Sequence, residues 1–179
     1  NPNSFINSSV TDPHGDVVNH TFNKKGQVNG LALGANGMTM NYEDPLNPTL
    51  PTSTTYNGYN VSYEYDNRGN VTKITLPTGL THQYTWTAEN DIDTYTDPKG
   101  GVTDFAYDAN KNMDYIQDPM GFITQFSINN QGLMTSMSSP TNITYNFEYY
   151  PSGDLKKVIS PLGFSTEMFY DNIGRVTSI

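Results

Sequence analysis

Three histidines, His14, His20 and His82, and the acidic run Glu89, Asp91 and Asp93 are the first residues to weigh for chemistry. A zinc site needs three or four His, Cys or carboxylate ligands at close, recognisable spacing. His14 and His20 are near in sequence, but no further ligand follows at such a spacing, and the chain has no cysteine. His14 reads as a turn residue, His20 and His82 as strand residues. Asp91-Ile92-Asp93 lacks the further Asp/Asn, the glycine and the distal Glu of an EF-hand loop. No G-x-S-x-G, Walker or dinucleotide-glycine motif occurs, and no Ser-His-Asp arrangement can be inferred. A retaining glycosidase needs two carboxylates across one cleft, and nothing singles out such a pair. The expectation is a chain with no catalytic residue, no metal and no cofactor. What remains is aromatic chemistry. Trp86 is the one tryptophan, and tyrosines and phenylalanines recur around it. Aromatics on a sheet stack against sugars, or they form the cross-strand contacts that hold a sheet together. Their placement in the same position of nearly every repeat favours the second reading.

That repeat is the main feature of the sequence. Gly58, Gly79, Gly100, Gly121 and Gly163 fall on one 21-residue series, which Asn142 interrupts and Gly37 extends backwards; Gly15 stands one residue out of step. A period of this length marks an array of supersecondary units. With the glycine as position zero, Pro13, Pro77, Pro98, Pro119, Pro140 and Pro161 precede it by two. Tyr42, Tyr63, Tyr84, Phe105, Phe126 and Phe147 follow it by five. Phe22, Tyr65, Trp86, Tyr107, Ile128, Tyr149 and Tyr170 follow it by seven. Position eleven holds Gly26, Gly69, Gly132, Gly153 and Gly174. Positions thirteen (Val71, Ile92, Met134, Leu155) and sixteen (Ile74, Tyr95, Met137, Val158) stay apolar or aromatic.

Each unit reads as one β-hairpin. The column just before position five, of opposite parity to the rings, reads Asn41, Ser62, Gln83, Asp104, Gln125, Asn146 and Glu167, so the strand alternates one aromatic face with one wet face. Tyr65-Asp66-Asn67-Arg68-Gly69 ends it in a turn, where an Asp such as Asp66, Asp108 or Asp171 bonds the local backbone and glycine supplies positive φ. A second strand follows, and Pro-x-Gly turns the chain again. No window carries a helical stripe. The expected fold is all-β: about eight antiparallel hairpins in one continuous, twisted, curling sheet over residues 1–179. Residues 1–11 are read as the end of a preceding hairpin. Residues 35–55 are an atypical repeat or joint, in which Tyr42 takes position seven if the glycine column shifts to Ala35. The structural turn residues are then Gly15, Gly26, Gly37, Gly58, Gly69, Gly79, Gly100, Gly121, Gly132, Gly153, Gly163 and Gly174, with Asp66, Asp108 and Asp171. The structural aromatic ladder is Tyr63, Tyr65, Tyr84, Trp86, Phe105, Tyr107, Phe126, Phe147, Tyr149 and Tyr170.

The net charge of −9 argues against nucleic acid and against anionic membrane surfaces, and no apolar run is long enough to insert in a membrane. The absence of cysteine removes any disulfide framework. The start at Asn1 reads as a boundary inside a longer protein. The Asn-x-Ser/Thr triplets, such as Asn60-Val61-Ser62, are expected by chance in a chain this rich in Asn and Thr.

Tyr65-Asp66-Asn67-Arg68-Gly69-Asn70-Val71, Tyr107-Asp108 and Tyr170-Asp171-Asn172-Ile173-Gly174-Arg175-Val176 resemble the YD repeat of the Rhs family. The likeness runs from about Asp12 to Ile179; Trp86-Thr87, Ile128-Asn129 and Tyr149-Tyr150 depart from the dipeptide. The resemblance implies a segment of the spiralling hairpin shell of Rhs proteins, Tc-toxin C-components and teneurins, which in bacterial members encloses a toxic C-terminal domain. It implies a secreted or cell-surface setting, and the rest of the parent shell and its cargo as partners. The family's autoproteolytic end-piece is not found; Asp118-Pro119-Met120-Gly121 falls on ordinary repeat columns. Two functions follow as expectations, a non-catalytic shell wall or a module binding glycans or a cell-surface partner. Self-association of the isolated segment through its aromatic face or its edges is a third expectation.

Overall fold

Eighteen strands and no helix are found in the computed structural model, which describes residues 6–33 and 36–179. β1 (Ile6–Thr11) to β8 (Thr81–Trp86) are followed by β9 (Ile92–Thr96), β10 (Val102–Tyr107), β11 (Met113–Gln117), β12 (Ile123–Ile128), β13 (Met134–Ser138), β14 (Thr144–Tyr149), β15 (Leu155–Ile159) and β16 (Ser165–Glu167). Between β1 and β8 lie β2 (Val17–Phe22), β3 (Val28–Leu33), β4 (Asn36–Asn41), β5 (Ser53–Tyr56), β6 (Tyr59–Tyr65) and β7 (Val71–Thr75). These sixteen strands form one antiparallel sheet in strict chain order, with β1 and β16 at its ends. β17 (Phe169–Tyr170) and β18 (Val176–Ser178) form a separate two-stranded ladder. The chain divides into two compact units, Asn1–Asp91 with Thr96–Gly100, and Ile92–Tyr95 with Gly101–Ile179.

Within the first unit the register shows how the repeat works. Tyr63 pairs with Ile74, Ile74 pairs with His82, and Tyr84 follows two residues on, so all four share one face. Tyr63 and Tyr84 are 21 residues apart, an odd number that would flip every second ring to the opposite face. A β-bulge removes the conflict. Glu64 faces Lys73 but Tyr65 faces Val71, so Thr72 is an extra residue on its strand. The same shift recurs in the second unit at Ala106/Tyr107, Ser127/Ile128 and Glu148/Tyr149. It also explains why apolar positions thirteen and sixteen, three residues apart, both lie opposite rings. The other face carries Glu64 against Lys73 at 2.9 Å and Lys157 against Glu167 at 3.5 Å.

Both turns of a hairpin use one device. At the first, Asp66 N–H donates to Asn70 O (2.9 Å) and Gly69 N–H donates to Asp66 O (3.2 Å). Gly69 takes φ +88° and closes the loop as a glycine bulge. The Pro-x-Gly turns repeat the pattern: Leu76 N–H donates to Leu80 O (2.8 Å) and Gly79 N–H to Leu76 O (2.9 Å). The remaining expected glycines, Gly15, Gly26, Gly100, Gly121, Gly132, Gly153, Gly163 and Gly174, also have positive φ at these turns. Asn90, Lys111 and Asn142 occupy the same position at φ +70°, +67° and +59°.

One expected turn residue needs correction. Gly37 lies inside β4, paired with Ala32, and not in a turn. The Leu33–Asn36 pairing brings the reversal forward of Gly37, because this unit has no proline before its glycine. Gly58 does form a turn, but not a Pro-x-Gly one. Tyr56 pairs with Tyr59 across Asn57 and Gly58, whose φ values of +49° and +82° give the two-residue Asn-Gly hairpin. Between these two reversals, residues 42–52 replace the usual short turn. Their anchor is Asn47, 8% exposed, whose Nδ2 donates to the Asp66 carbonyl (2.8 Å) and to Asp44 Oδ2 (2.9 Å). On the other flank Gln27 Nε2 donates to Pro48 O at 2.6 Å. The atypical segment is thus a bridge between the turns on either side of it.

No hydrophobic side chain among the described residues is buried. Stability therefore rests on half-covered cross-strand pairs and closed turns. A Cβ at Gly69 would meet Leu50 Cδ1 at 3.4 Å and Asn47 Oδ1 at 3.5 Å, whereas at Gly174 it meets nothing within 4 Å. These are ordinary contact distances, so Gly174→Ala and Gly69→Ala are each expected to cost about 1 kcal/mol for positive φ. Lys111→Gly relieves the same strain and is expected to stabilise by roughly 0.5–1 kcal/mol. Denaturant titrations of the three variants check these signs.

Candidate functional site

A polar contact links most hairpins to the one before. Trp86 Nε1 donates to Val71 O at 2.7 Å, Tyr107 Oη to Ile92 O at 3.0 Å, Tyr149 Oη to Met134 O at 2.7 Å and Tyr170 Oη to Leu155 O at 2.8 Å. Donors are the ring at position seven, and acceptors are position thirteen of the preceding hairpin. Tyr65 Oη reaches Pro51 O at 2.8 Å and Tyr42 Oη reaches Val28 O at 2.7 Å. Tyr42 thereby does the work of position seven, which settles the register that the atypical segment left open. Burial raises the Tyr65 phenol above its ordinary value, helped by Tyr63 and Asp44, so it stays a donor.

The ring at position five behaves differently. Phe105 faces Ile116, Phe126 faces Met137 and Phe147 faces Val158 across the hairpin. Tyr63 faces Ile74, and its hydroxyl shares a hydrogen bond with Thr54 Oγ1 at 3.2 Å. Tyr84 lies in β8 at the same position. Every ring of the expected ladder is half-buried. The columns therefore alternate ring with aliphatic side chain across strands; Tyr150 and Tyr170 meet edge to face at 6.1 Å. Sequence reasoning grouped positions five and seven together. A partial signal was present: position five holds Phe105, Phe126 and Phe147, while position seven holds Tyr or Trp, each with a polar tip, in most units.

The turn acids cap the loops. Asp66 Oδ1 accepts N–H bonds from Arg68 (2.8 Å) and Asn70 (2.9 Å), and Oδ2 accepts from Asn70 Nδ2 (3.0 Å). Burial pushes this carboxyl up, but the Asn70 side chain, the two N–H groups and the Arg68 guanidinium outweigh it and hold it at about 2. Hydrogen bonds from the Asn112 side chain and backbone lower Asp108, and those from the Arg175 backbone and side chain lower Asp171. Sequence reasoning missed that the same cap closes the Pro-x-Gly turns. Asp12 accepts from His14 and Asp16, Asp118 from Met120 and Phe122, and Ser139 from Thr141 and Ile143. Asn23 and Asn129 show that a neutral amide caps equally well. Successive turns are tied laterally. Arg68 Nη1 donates to Thr87 O (2.7 Å) and Ala88 O (2.9 Å), and Asn70 Nδ2 to Asn90 Oδ1 (2.8 Å).

The histidines and acids weighed for chemistry stay apart. His14 lies exposed in its turn, 3.9 Å from Asp12 Oδ2. His20 pairs between Ser8 and Leu31, and His82 faces Ile74. Glu89 and Asp91 belong to the turn capped by Thr87 Oγ1, and Asp93 lies in β9. Among the described residues no group of three His, Cys, Asp or Glu could hold a metal ion. Among the described residues no helix is long and apolar enough to cross a membrane.

The sequence matches the family model described as Teneurin YD-shell over residues 7–179. No curated protein matches it. Among solved structures, the crystal structure of TcdB2-TccC3-Cdc42 is similar at TM-score 0.75 and 13% identity, covering 94% of this chain and 10% of that one. The crystal structure of TcdB2-TccC3 is similar at TM-score 0.62 and 14% identity, covering 90% and 10%. This chain spans about a tenth of the length of those it resembles, and at such identities the likeness is one of fold.

Removing a single ring hydroxyl tests the contact between hairpins. Tyr107→Phe and Tyr149→Phe are each expected to cost about 1 kcal/mol, because the ring stays and only its hydrogen bond goes. Ile128→Tyr, which adds a donor to a hairpin that lacks one at this position, is expected to stabilise. Acid titration tests the caps. The folded pKa of Asp66 lies below the ordinary 3.8, so its contribution is complete above 3.8 and is lost as pH falls toward about 2. Asp66→Asn keeps a capping oxygen, so the turn is expected to close while the acid-induced loss between pH 4 and 2 shrinks. Chemical denaturation at a series of pH values reads the difference.

Proposed function

The chain belongs to the teneurin YD-shell family, and on that premise we propose that it is a non-catalytic stretch of shell wall in a longer polypeptide that houses a cargo domain. One observation supports this most directly. Sixteen strands run in chain order with no buried hydrophobic side chain among the described residues. A sheet of this kind gains its cover from further strands or from what it encloses. The repeat contains no favoured end: Trp86, Tyr107, Tyr149 and Tyr170 each reach back to position thirteen of the preceding hairpin, a contact that further units can extend. The whole segment acts as a single array, and the side chains weighed for chemistry serve turns and strands. Its setting is extracellular or at a cell surface, as the resemblance implies.

Imaging the parent polypeptide by electron microscopy tests the role. The expected result is a hollow particle whose wall includes this segment, with the enclosed domain resistant to a protease that digests it when free. A solid particle, or a cargo cleaved as fast inside as outside, overturns it.

The half-covered surface also bears on the isolated segment. Its ring columns are partly shielded by neighbouring strands, and well-exposed apolar side chains flank two Pro-x-Gly turns: Met120 (78%), Phe122 (50%), Leu162 (82%) and Phe164 (73%). Such exposure on a monomer is unfavourable. The isolated segment is expected to self-associate through this row, and Leu162→Ser with Phe164→Ser to weaken it. Sedimentation equilibrium decides; a strictly monomeric species at high concentration rules it out.

A further inference from the structure

Tyr150 stands where the other hairpins carry a small capping residue. Asp66, Thr87, Asp108, Asn129 and Asp171 all place an oxygen over their own turn. Tyr150 has no such oxygen; its hydroxyl reaches instead to Met168 O of the next hairpin, at 3.1 Å. The bulk of the ring stands between turn Tyr150–Asp154 and turn Asp171–Arg175, and a groove of about 510 Å³ lies there. Between turns Asp66–Asn70 and Thr87–Asp91 the corresponding space is crossed by the Asn70 to Asn90 tie.

The groove has aromatic walls and an anionic rim. Tyr150 and Tyr170 meet at an interplanar angle of 89°, giving two ring surfaces set at a corner, and Phe169, 47% exposed, adds a third. Asp154 and Asp171 line the same groove. Asp171 is already engaged by Arg175 Nε at 2.7 Å. The Asp154 carboxylate accepts a neutral hydroxyl, Ser152 Oγ, at 2.8 Å. Ring faces carry negative charge density and attract cations, most strongly those with little hydration to lose.

We propose that this groove binds an alkylammonium cation of the choline type, with the ammonium methyls against Tyr150, Tyr170 and Phe169 and its charge opposite Asp154. Size agrees, since the space exceeds one such headgroup. The site is independent of the shell reading, because it needs only two adjacent turns.

Choline chloride titrated into the protein by isothermal calorimetry, against sodium chloride at equal ionic strength, tests it. Saturable binding with a dissociation constant on the order of millimolar is expected for choline and none for sodium. Tyr150→Asn installs the cap seen at Asn23 and Asn129, so the turn folds while the wall disappears; binding is expected to weaken about tenfold. Phe169→Ser and Asp154→Asn are expected to weaken it as well, with melting temperatures showing that each variant is folded. Co-sedimentation with phosphatidylcholine vesicles marks a lipid headgroup as the source, and binding of choline without it marks a free cation. Equal choline heats in the wild type and Tyr150→Asn, or a response that sodium reproduces, overturns the proposal.

Discussion

An odd repeat cannot keep one face of a sheet apolar unless something absorbs the extra residue. Twenty-one residues separate Tyr63 from Tyr84, and the single β-bulge after Glu64 restores their common side. Every later feature depends on that correction. It brings positions thirteen and sixteen under the rings, leaves Glu64 and Lys73 together on the wet face, and repeats the arrangement in each unit. A bulge also bends its strand and raises the local twist, so the device that fixes the face acts on curvature too.

With no buried hydrophobic core among the described residues, the array is held by many small contacts repeated often. A hydrogen bond such as Tyr149 to Met134 O contributes on the order of 1 kcal/mol. Its larger effect is positional. The ring tip can reach that carbonyl only if the two hairpins are in register, so each hairpin sets the next. Caps work at shorter range. By accepting two N–H groups, Asp66 satisfies donors that the loop would otherwise leave unpaired. Neighbouring turns then bind one another through Arg68 and Asn70. This is the energetic pattern of a repeat array, in which each unit is stabilised chiefly by its neighbour.

The departures from the pattern carry the individuality of the chain. Residues 42–52 trade a short turn for a loop that Asn47 pins to the Asp66 carbonyl, joining flanking hairpins that a missing turn would have left apart. At Met168 the strand is interrupted between β16 and β17, yet the Met168 N–H still donates to Lys156 O at 2.9 Å and carries the connection across. Tyr150 gives up a cap and opens a groove between two turns. In each case a local departure alters a turn or strand end and leaves the adjoining hairpins paired.

The sequence by itself determined the repeat, the all-β hairpin unit and the position of nearly every turn. Those follow from short-range rules: alternation along a strand, positive φ at glycine, a proline that cannot sit within a central ladder. It also disclosed that residues 35–55 break the pattern. Gly37 was misplaced because the period was extended through that break, where neither proline nor a capping oxygen marks a turn. Gly58 turns the chain as expected, and Asn57-Gly58 is a strong local signal for the two-residue hairpin it forms. Tertiary structure decided what crosses between hairpins. That the position-seven ring reaches a carbonyl some fifteen residues back, that Asn47 caps a turn nineteen residues on, and that Tyr150 opens a groove all depend on which residues adjacent strands bring together. A strand pattern says which way a side chain points; only the register between strands says what it meets.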